Sequence, residues 1–262
     1  IHEVPSPFVE KQIDSVLSDI GADAIKTGML ANKKIIEVVA RKIEQYGVET
    51  VVVDPVMVSK SGAPLLRKDA QEALIKRLIP LATVVTPNLF EASVLTGRRV
   101  NSLEGMRKAT VQIWELGAKH VVLKGGHLKG KAIDILFDGN NYAEIEGPRV
   151  KTKHTHGTGC TFASAIATLL AREESVPEAV RKAKIFITMA IQSGLSLGKG
   201  TGPTNPSAYV LREMERYRVI QELNRAVEVM KEEKIGHLIP EVSSNLGYAL
   251  PYAEVIGDVA AF

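Results

Sequence analysis

Cysteine is almost missing from this chain: Cys160 is the one thiol among 262 residues. That excludes an internal disulfide framework, and we therefore expect a cytoplasmic protein. The sequence also has no signal peptide and no apolar run long enough to span a bilayer, so we expect no membrane partner. Long basic runs are missing too, since the 33 basic and 30 acidic residues are interspersed. The composition therefore gives no support to a nucleic-acid partner.

Of the residues in the chain, 45% are hydrophobic and 24% are charged. This is enough apolar material for a substantial core. In the first half, apolar strand-like runs alternate with helical segments. The β-branched run 50–53, for example, is followed by a predicted helix over 68–79. Continuous apolar strands separated by helices are typical of a parallel sheet with helices on both faces. We therefore predict an α/β fold with a mainly parallel central sheet.

The second half of the sequence has a different pattern. Segments 133–137 and 141–145 are predicted strands on either side of a hairpin-like turn. Helices are predicted over 161–171, over 177–197 and, as a long C-terminal extension, over 208–234.

The most informative motif is Thr155-His156-Gly157-Thr158-Gly159-Cys160, which precedes a long apolar helix. A helix start exposes unpaired backbone N–H groups and the positive end of the helix dipole. Glycine lets that backbone come close to a ligand, so the motif favours phosphate binding. A tight loop with no ligand is the structural alternative.

Cys160 itself has two interpretations of about equal weight. A lone cysteine is usually a small buried hydrophobe, but a helix N-terminus favours a reactive thiolate. The types and proximity of His154, His156 and Cys160 also suit zinc, although no fourth ligand is evident and phosphate explains the glycines better.

Polar clusters follow several predicted strands, and ligands of open parallel sheets bind beyond the strand ends. The clusters are Lys26-Thr27-Gly28-Met29, Asp54-Pro55, Thr86-Pro87-Asn88 and Lys124-Gly125-Gly126-His127. Because these strand ends meet at one edge of the sheet, their convergence is a second indication of a site there.

Each cluster also has a purely structural interpretation. Asp54 can simply end its strand, and Lys124 can be a surface charge. Asn88 with Glu91 can be a helix cap with an acid in the first turn. The same pair equally suits a hydrated magnesium ion, which takes oxygen ligands.

Together these segments resemble the hydroxymethylpyrimidine phosphate kinases of thiamin biosynthesis, within the ribokinase-like superfamily. The resemblance runs from about residue 1 to 212. It is carried, in order, by Lys26-Thr27-Gly28-Met29-Leu30, Val53-Asp54-Pro55-Val56-Met57-Val58-Ser59-Lys60-Ser61-Gly62, Thr86-Pro87-Asn88-Leu89-Phe90-Glu91-Ala92, Leu123-Lys124-Gly125-Gly126-His127 and Thr155-His156-Gly157-Thr158-Gly159-Cys160-Thr161.

The resemblance implies transfer of the γ-phosphoryl group of ATP to hydroxymethylpyrimidine and to its monophosphate. It assigns the anion hole to four consecutive residues: Gly157, Thr158, Gly159 and Cys160. Cys160 stands where many relatives carry an aspartate base, and it would help to activate the acceptor oxygen.

The resemblance also implies roles for residues at the strand ends. Asn88 and Glu91 match a magnesium-linked pattern, so Mg²⁺ is expected beside ATP, and Met29 would touch the pyrimidine. The phosphates and the nucleotide would be bound by Asp54, Lys60, Lys124, Gly126 and Thr155.

The predicted domains are a kinase domain over 1–212 and a linker helix with the start of a thiamin-phosphate synthase-like module over 213–262. The second domain rests on Leu238-Ile239-Pro240-Glu241-Val242 and on 244–251; its alternative is an ordinary C-terminal extension. The family's glycine-rich opening segment, which forms much of the pyrimidine pocket, is not found before Ile1. We therefore expect an incomplete kinase domain whose activity is in question, and an incomplete module.

Two other functions remain open at this point. One is a related vitamin kinase that acts on pyridoxal or a similar heterocycle. The other is a non-catalytic sensor of the thiamin pathway. The expected partners are a small-molecule pyrimidine and a second copy of the chain, as a homodimer.

Overall fold

The computed structural model describes residues 2–58, 65–126, 128, 130, 132–234, 247–249 and 259–261. Contacts divide the chain into two compact units, Ile1–Thr204 and Asn205–Phe262. The domain assignment to 1–212 and 213–262 stays a prediction. Lys60 lies outside the described residues, so nothing here bears on its predicted role.

The first unit alternates strands and helices along most of its length. Its strands are β1 Ile25–Thr27, β2 Val51–Val53, β3 Val84–Val85, β4 His120–Leu123, β5 Ala132–Phe137 and β6 Tyr142–Gly147. Its helices are α1 Ser6–Leu17, α2 Lys33–Gln45, α3 Lys68–Ala73, α4 Leu89–Thr96, α5 Leu103–Trp114, α6 Thr158–Ala171 and α7 Val176–Gln192.

The six strands form one sheet in the order β1-β2-β3-β4-β5-β6. Neighbours from β1 to β4 pair in parallel, whereas β5 and β6 form an antiparallel hairpin at the end of the sheet. The predicted α/β fold with a mainly parallel sheet is therefore confirmed. The predicted hairpin is also formed: β5 begins one residue earlier than predicted, and β6 begins one residue later and ends two residues later.

Helices cover both faces of the sheet, and the strand alternation decides which residues meet which helices. Val51 and Val53 pack in a buried cluster with α2, α3, α4 and α5. Val52, between them, packs in a second cluster with α6 and α7. Even-numbered residues at the end of β2 therefore face α6, and odd-numbered residues face the opposite side of the sheet. The same alternation orients the side chains of the site.

Two predicted helices end earlier than expected. The helix predicted over 68–79 is α-helical only to Ala73 and continues as a π-helix, Leu74–Leu78, and a 3₁₀ turn, Ile79–Leu81. Pro80 lacks an N–H and restricts the preceding residue, which explains the change. The helix predicted over 177–197 ends at Gln192. Beyond it the backbone is not helical, since Leu195 N donates to Pro203 O and not to a carbonyl of the preceding turn.

The second unit contains α8, Ala208–Glu232, and a short antiparallel pair, β7 Gly247–Ala249 with β8 Val259–Ala261. The predicted helical C-terminal extension is thus observed. Among the described residues, no helix combines the length and the apolar composition needed to cross a lipid bilayer.

Candidate active site

The start of α6 lies three residues earlier than predicted, at Thr158 instead of Thr161. Gly157 adopts the left-handed conformation before it, with φ of 83°, a backbone region that favours glycine. Within the described residues no side chain caps this helix through a hydrogen bond. Thr158, Gly159 and Cys160 form the first turn; Thr158 N donates to Thr155 O at 3.4 Å, and the N–H groups of Gly159 and Cys160 are available to an anion.

A row of polar side chains follows the strands on the α6 face of the sheet. Asp54, Thr86 and Lys124 each come two residues after a valine of the α6 cluster, so they project to the same side. Lys124 Nζ donates to Asp54 Oδ1 at 2.9 Å, and Thr86 Oγ1 donates to the same oxygen at 3.2 Å. Lys26 Nζ lies 3.9 Å from Asp54 Oδ2. The predicted convergence at one edge of the sheet is therefore seen for these residues.

Gly159 brings the first turn of α6 against this row. A Cβ atom at Gly159 would lie 3.3 Å from Lys124 Nζ and 3.8 Å from Asp54 Oδ2. The space above the Lys124–Asp54 pair thus exists because residue 159 has no side chain. An anion there would meet N–H groups on one side and an ammonium group on the other.

Neighbouring carboxylates keep the side chain of Lys124 in its charged ammonium form. Burial lowers the pKa of the Lys124 ammonium, but the carboxylates of Asp54 and Glu91 outweigh it and raise the pKa above its ordinary value. Lys124 is therefore positively charged throughout the physiological pH range. Asp54, which is 2% exposed, is shielded from water beneath it.

Asn88 and Glu91 form a capping box at the start of α4. Asn88 Oδ1 accepts from the N–H groups of Phe90 and Glu91, and Glu91 Oε2 accepts from Asn88 N at 2.8 Å. The helix-cap interpretation is therefore observed, while a metal-linked role remains a prediction. Burial raises the pKa of the Glu91 carboxyl to about 7, with Lys124 opposing the shift.

A second buried ion pair supports the segment after β4 and was not predicted from the sequence. Asp134 in β5 accepts from Gly125 N at 2.9 Å and from Lys184 Nζ, in α7, at 2.7 Å. A Cβ at Gly125 would lie 1.9 Å from Ile133 O, so this position tolerates only glycine. The backbone directly after Lys124 is thereby fixed. An aspartate inside an otherwise apolar strand was the one sequence signal of this pair.

We predict that Lys184→Met destabilises the protein by about 3 kcal/mol, because it leaves the Asp134 carboxylate buried without its ammonium partner. Lys182→Met is the matched control: Lys182 is on the same helix, but its side chain is 49% exposed in its ion pair with Glu174. Its loss should cost about 0.5 kcal/mol. Urea unfolding measures both, and equal losses would contradict a structural role for the buried pair.

The remaining predicted site residues lie around this core. Cys160 is exposed, so the interpretation as a buried hydrophobe is wrong. Met29 is 36% exposed just after β1. Thr155 O accepts from Thr158 Oγ1 at 2.8 Å, so it is fixed next to the first turn of α6. Gly126 O accepts from Arg149 Nη1 at 3.0 Å.

The zinc alternative receives no support from the position of His154. Its side chain fills the space beside Gly194 and Gly202, where a Cβ would lie 2.5 Å from His154 Cβ and 2.2 Å from His154 Nδ1, respectively. In the described ranges, no group of three or more His, Cys, Asp or Glu side chains is placed to hold a metal ion.

The fold and this site define a ribokinase-like kinase: a mainly parallel α/β sheet with a phosphate-suited helix start above a lysine–aspartate pair. The chain belongs to the phosphomethylpyrimidine kinase family, whose model matches residues 1–205. Residues 222–262 match a second family model, the thiamine-phosphate synthase ThiN. The predicted combination of a kinase with a thiamin-phosphate synthase-like segment is confirmed.

Two relatives of similar sequence support this family assignment. The chain is 50% identical over 206 residues to the thiamine biosynthesis bifunctional protein ThiED of Geobacter sulfurreducens, which covers 78% of the chain and 42% of that protein. It is 44% identical over 211 residues to the hydroxymethylpyrimidine/phosphomethylpyrimidine kinase of Bacillus subtilis, covering 80% of the chain and 78% of that protein.

A solved structure shows the same fold. The ADP complex of Bacillus subtilis pyridoxal kinase superposes with a TM-score of 0.74 at 41% identity, covering 79% of this chain and 78% of that one. The ribokinase-like fold is thus confirmed over the first unit.

Proposed function

We propose that this protein transfers the γ-phosphoryl group of ATP to hydroxymethylpyrimidine and to its monophosphate. The observation that carries the proposal is the uncapped first turn of α6 directly above the Lys124–Asp54 pair. Such an arrangement suits a phosphoryl group in transfer, since catalysis of this reaction depends on positioning and on electrostatic stabilisation. The name of the Bacillus subtilis relative supports the choice of acceptor.

Each predicted residue has a place in this proposal. The N–H groups of Gly157 to Cys160 would hold the transferring group, and the exposed side chain of Cys160, in its thiolate form, would take the proton of the acceptor hydroxyl and become a thiol. Lys124 would balance the phosphate charge, held in place by Asp54. Thr155 and Gly126 would lie along the nucleotide. Lys60 is proposed beside the phosphates from the resemblance alone.

The donor set near Glu91 fits a magnesium ion held mainly by phosphates and water. Mg²⁺ usually keeps several waters and takes only one or two carboxylates. The Asn88 side chain oxygen is committed to the helix cap, whereas Glu91 Oε1 makes no hydrogen bond within the described residues. Glu91 would hold a water of the ion and Asn88 would fix Glu91. When bound, the ion neutralises charge on the phosphates.

A related vitamin kinase is the second candidate, and one observation favours it: the structure with a TM-score of 0.74 is a pyridoxal kinase. Cys160 does not separate the two functions, because both kinds of kinase can use a thiol at this position. The acceptor pocket near Met29 would decide between them.

The test is ADP formation from Mg-ATP with hydroxymethylpyrimidine phosphate, with pyridoxal or with no acceptor. We expect ADP formation that depends on the pyrimidine phosphate. A higher kcat/KM for pyridoxal would favour the second candidate. The assay is run on the chain itself and on a chimera with the opening segment of the Bacillus subtilis relative before Ile1, because the resemblance predicts that this segment contributes to the pocket. Failure of both proteins to use either acceptor would contradict the proposal.

We further propose a cytoplasmic homodimer, with the kinase domain over 1–212 and a synthase-like module after it. The single cysteine supports the location. Sedimentation equilibrium tests the dimer, and a monomer at micromolar concentration would contradict it.

A further inference from the structure

We infer that Lys26 binds the phosphate group that a phosphorylated acceptor already carries, and so favours the second phosphorylation over the first. The inference rests on the proposed function and assigns a specificity-determining residue within the same site. It follows from the direction, the hydrogen bonding and the position of the Lys26 side chain.

The direction of Lys26 is set by the register of β1. Lys26 pairs with Val52 of β2, and Val52 packs against α6. Side chains that are paired in this way project to the same face of a sheet. Lys26 therefore points to the α6 side, like Asp54 and Lys124, and it belongs to the same polar row.

The Lys26 ammonium group makes no hydrogen bond to a described residue. Its distance of 3.9 Å to Asp54 Oδ2 is longer than a hydrogen bond. In the part of the chain that the structure describes, Lys26 Nζ donates no hydrogen bond, although only 19% of its side chain is exposed. Lys124, in contrast, donates to Asp54 Oδ1. An ammonium carries three donors, so an anion beside Asp54 would find those of Lys26 uncommitted.

The charges of the row favour a second anionic group. Two ammonium groups share one carboxylate, that of Asp54, and the Glu91 carboxylate acts on Lys124, so positive charge is left at the Lys26 end of the row, next to the first turn of α6. One transferring phosphoryl group above Lys124 leaves the Lys26 end of the row for a different anion.

The strand order places that anion on the acceptor side. Lys124 follows β4, whereas Lys26 lies in β1, on the other side of Asp54 in the order β1-β2-β3-β4. Met29, assigned to the pyrimidine by the resemblance, comes three residues after Lys26. The phosphate of a phosphorylated pyrimidine would thus lie nearer to Lys26 than to Lys124.

Gly28 provides a way to move the ammonium without removing it. A Cβ at Gly28 would lie 2.9 Å from Lys26 Nζ, the flexible end of its side chain. The backbone of Gly28 is not left-handed, so alanine is conformationally acceptable there. Gly28→Ala therefore leaves the fold intact and displaces the Lys26 ammonium from its position beside Asp54.

The experiment measures KM for hydroxymethylpyrimidine phosphate, for hydroxymethylpyrimidine and for Mg-ATP in Lys26→Met and Gly28→Ala. We expect Lys26→Met to raise the first KM by about 10- to 100-fold, the effect of one charge-assisted hydrogen bond, and the other two by less than about threefold. Gly28→Ala should show the same selectivity with a smaller effect. Lys76→Met, which removes a lysine with a 72% exposed side chain, is the control and should change none.

An equal loss for both acceptors, a loss confined to Mg-ATP, or no loss at all would overturn the inference. Calorimetric titration of the nucleotide-free chain with hydroxymethylpyrimidine phosphate provides a readout that needs no turnover. If neither the wild-type chain nor the chimera turns over either pyrimidine, the proposed function fails by itself. Equal affinity of the wild type and Lys26→Met for the monophosphate would then still overturn the role of Lys26.

Discussion

Gly159→Ala is expected to make the protein more stable and almost inactive. Alanine has a higher helix propensity than glycine, so an alanine in the first turn of α6 should add about 0.5 kcal/mol to the free energy of unfolding. The same methyl group would lie 3.3 Å from Lys124 Nζ, in the space that we assign to the transferring phosphoryl group. We expect kcat/KM to fall by about 10²- to 10³-fold, as when an anion-stabilising donor is lost.

Gly105→Ala is the matched control for this prediction, because Gly105 lies in the first turn of α5, outside the polar row. The new Cβ would be 3.1 Å from Ser102 Oγ, which needs to move only slightly. This variant should keep full activity. Thermal unfolding and steady-state kinetics measure both effects. If Gly159→Ala retained activity within about threefold of the wild type, the phosphoryl group would have to lie elsewhere.

Glu91→Gln should also separate stability from activity, with a pH dependence of known sign. The pKa of Glu91 rises from 4.5 in the unfolded chain to about 7 in the folded protein, so folding takes up a proton between these values. The stability associated with the neutral carboxyl is fully present below pH 4.5 and is lost as the pH rises through 7. Glutamine is neutral at every pH and can still accept from Asn88 N. We expect it to be about 2 kcal/mol more stable than the wild type at pH 8 and similar at pH 5.

The activity of Glu91→Gln should fall by about 10- to 100-fold, with a higher requirement for Mg²⁺, because the carboxylate that we propose to hold a water of the ion is lost. Glu104→Gln is its control: Glu104 is in the first turn of α5, and its hydrogen bond from Lys108 lowers the pKa of the carboxyl. That substitution should give no gain in stability at pH 8. Chemical denaturation at both pH values measures the difference. A Glu91→Gln protein without extra stability at pH 8 would show that folding does not raise the pKa of the Glu91 carboxyl.

The fold was predictable where local pattern and burial agree. The β-branched run at 51–53 and the turn before Tyr142 gave correct strands, because periodicity and turn residues act locally. The start of α6 was missed, because Gly-Thr-Gly-Cys has the composition of a loop and the helix begins there without a side-chain cap. The π-helix at Leu74–Leu78 was missed because Pro80, to which we attribute it, lies outside that segment, in the turn that follows.

The site was predictable to the extent that strand ends reveal it. Asp54 and Lys124 were found because the polar residues after parallel strands meet at one edge of the sheet. The Asp134–Lys184 pair was missed, since its two members are 50 residues apart and meet only after α7 packs on the sheet. Whether Glu91 is buried enough for its pKa to reach about 7 was likewise invisible in the sequence, because burial is a property of the packed helix.

The hairpin at the end of the sheet has a consequence for how copies of this chain meet during synthesis. β6 is the last strand in the sheet order, and an unpaired strand edge is a template for aggregation. On β6, the exposed Glu144 and Glu146 flank the buried Ile145. A second copy that added its own β6 there would bring its carboxylates against these two. Repulsion between like charges therefore discourages the growth of intermolecular sheets from this edge, while β2, β3 and β4 remain inside the sheet.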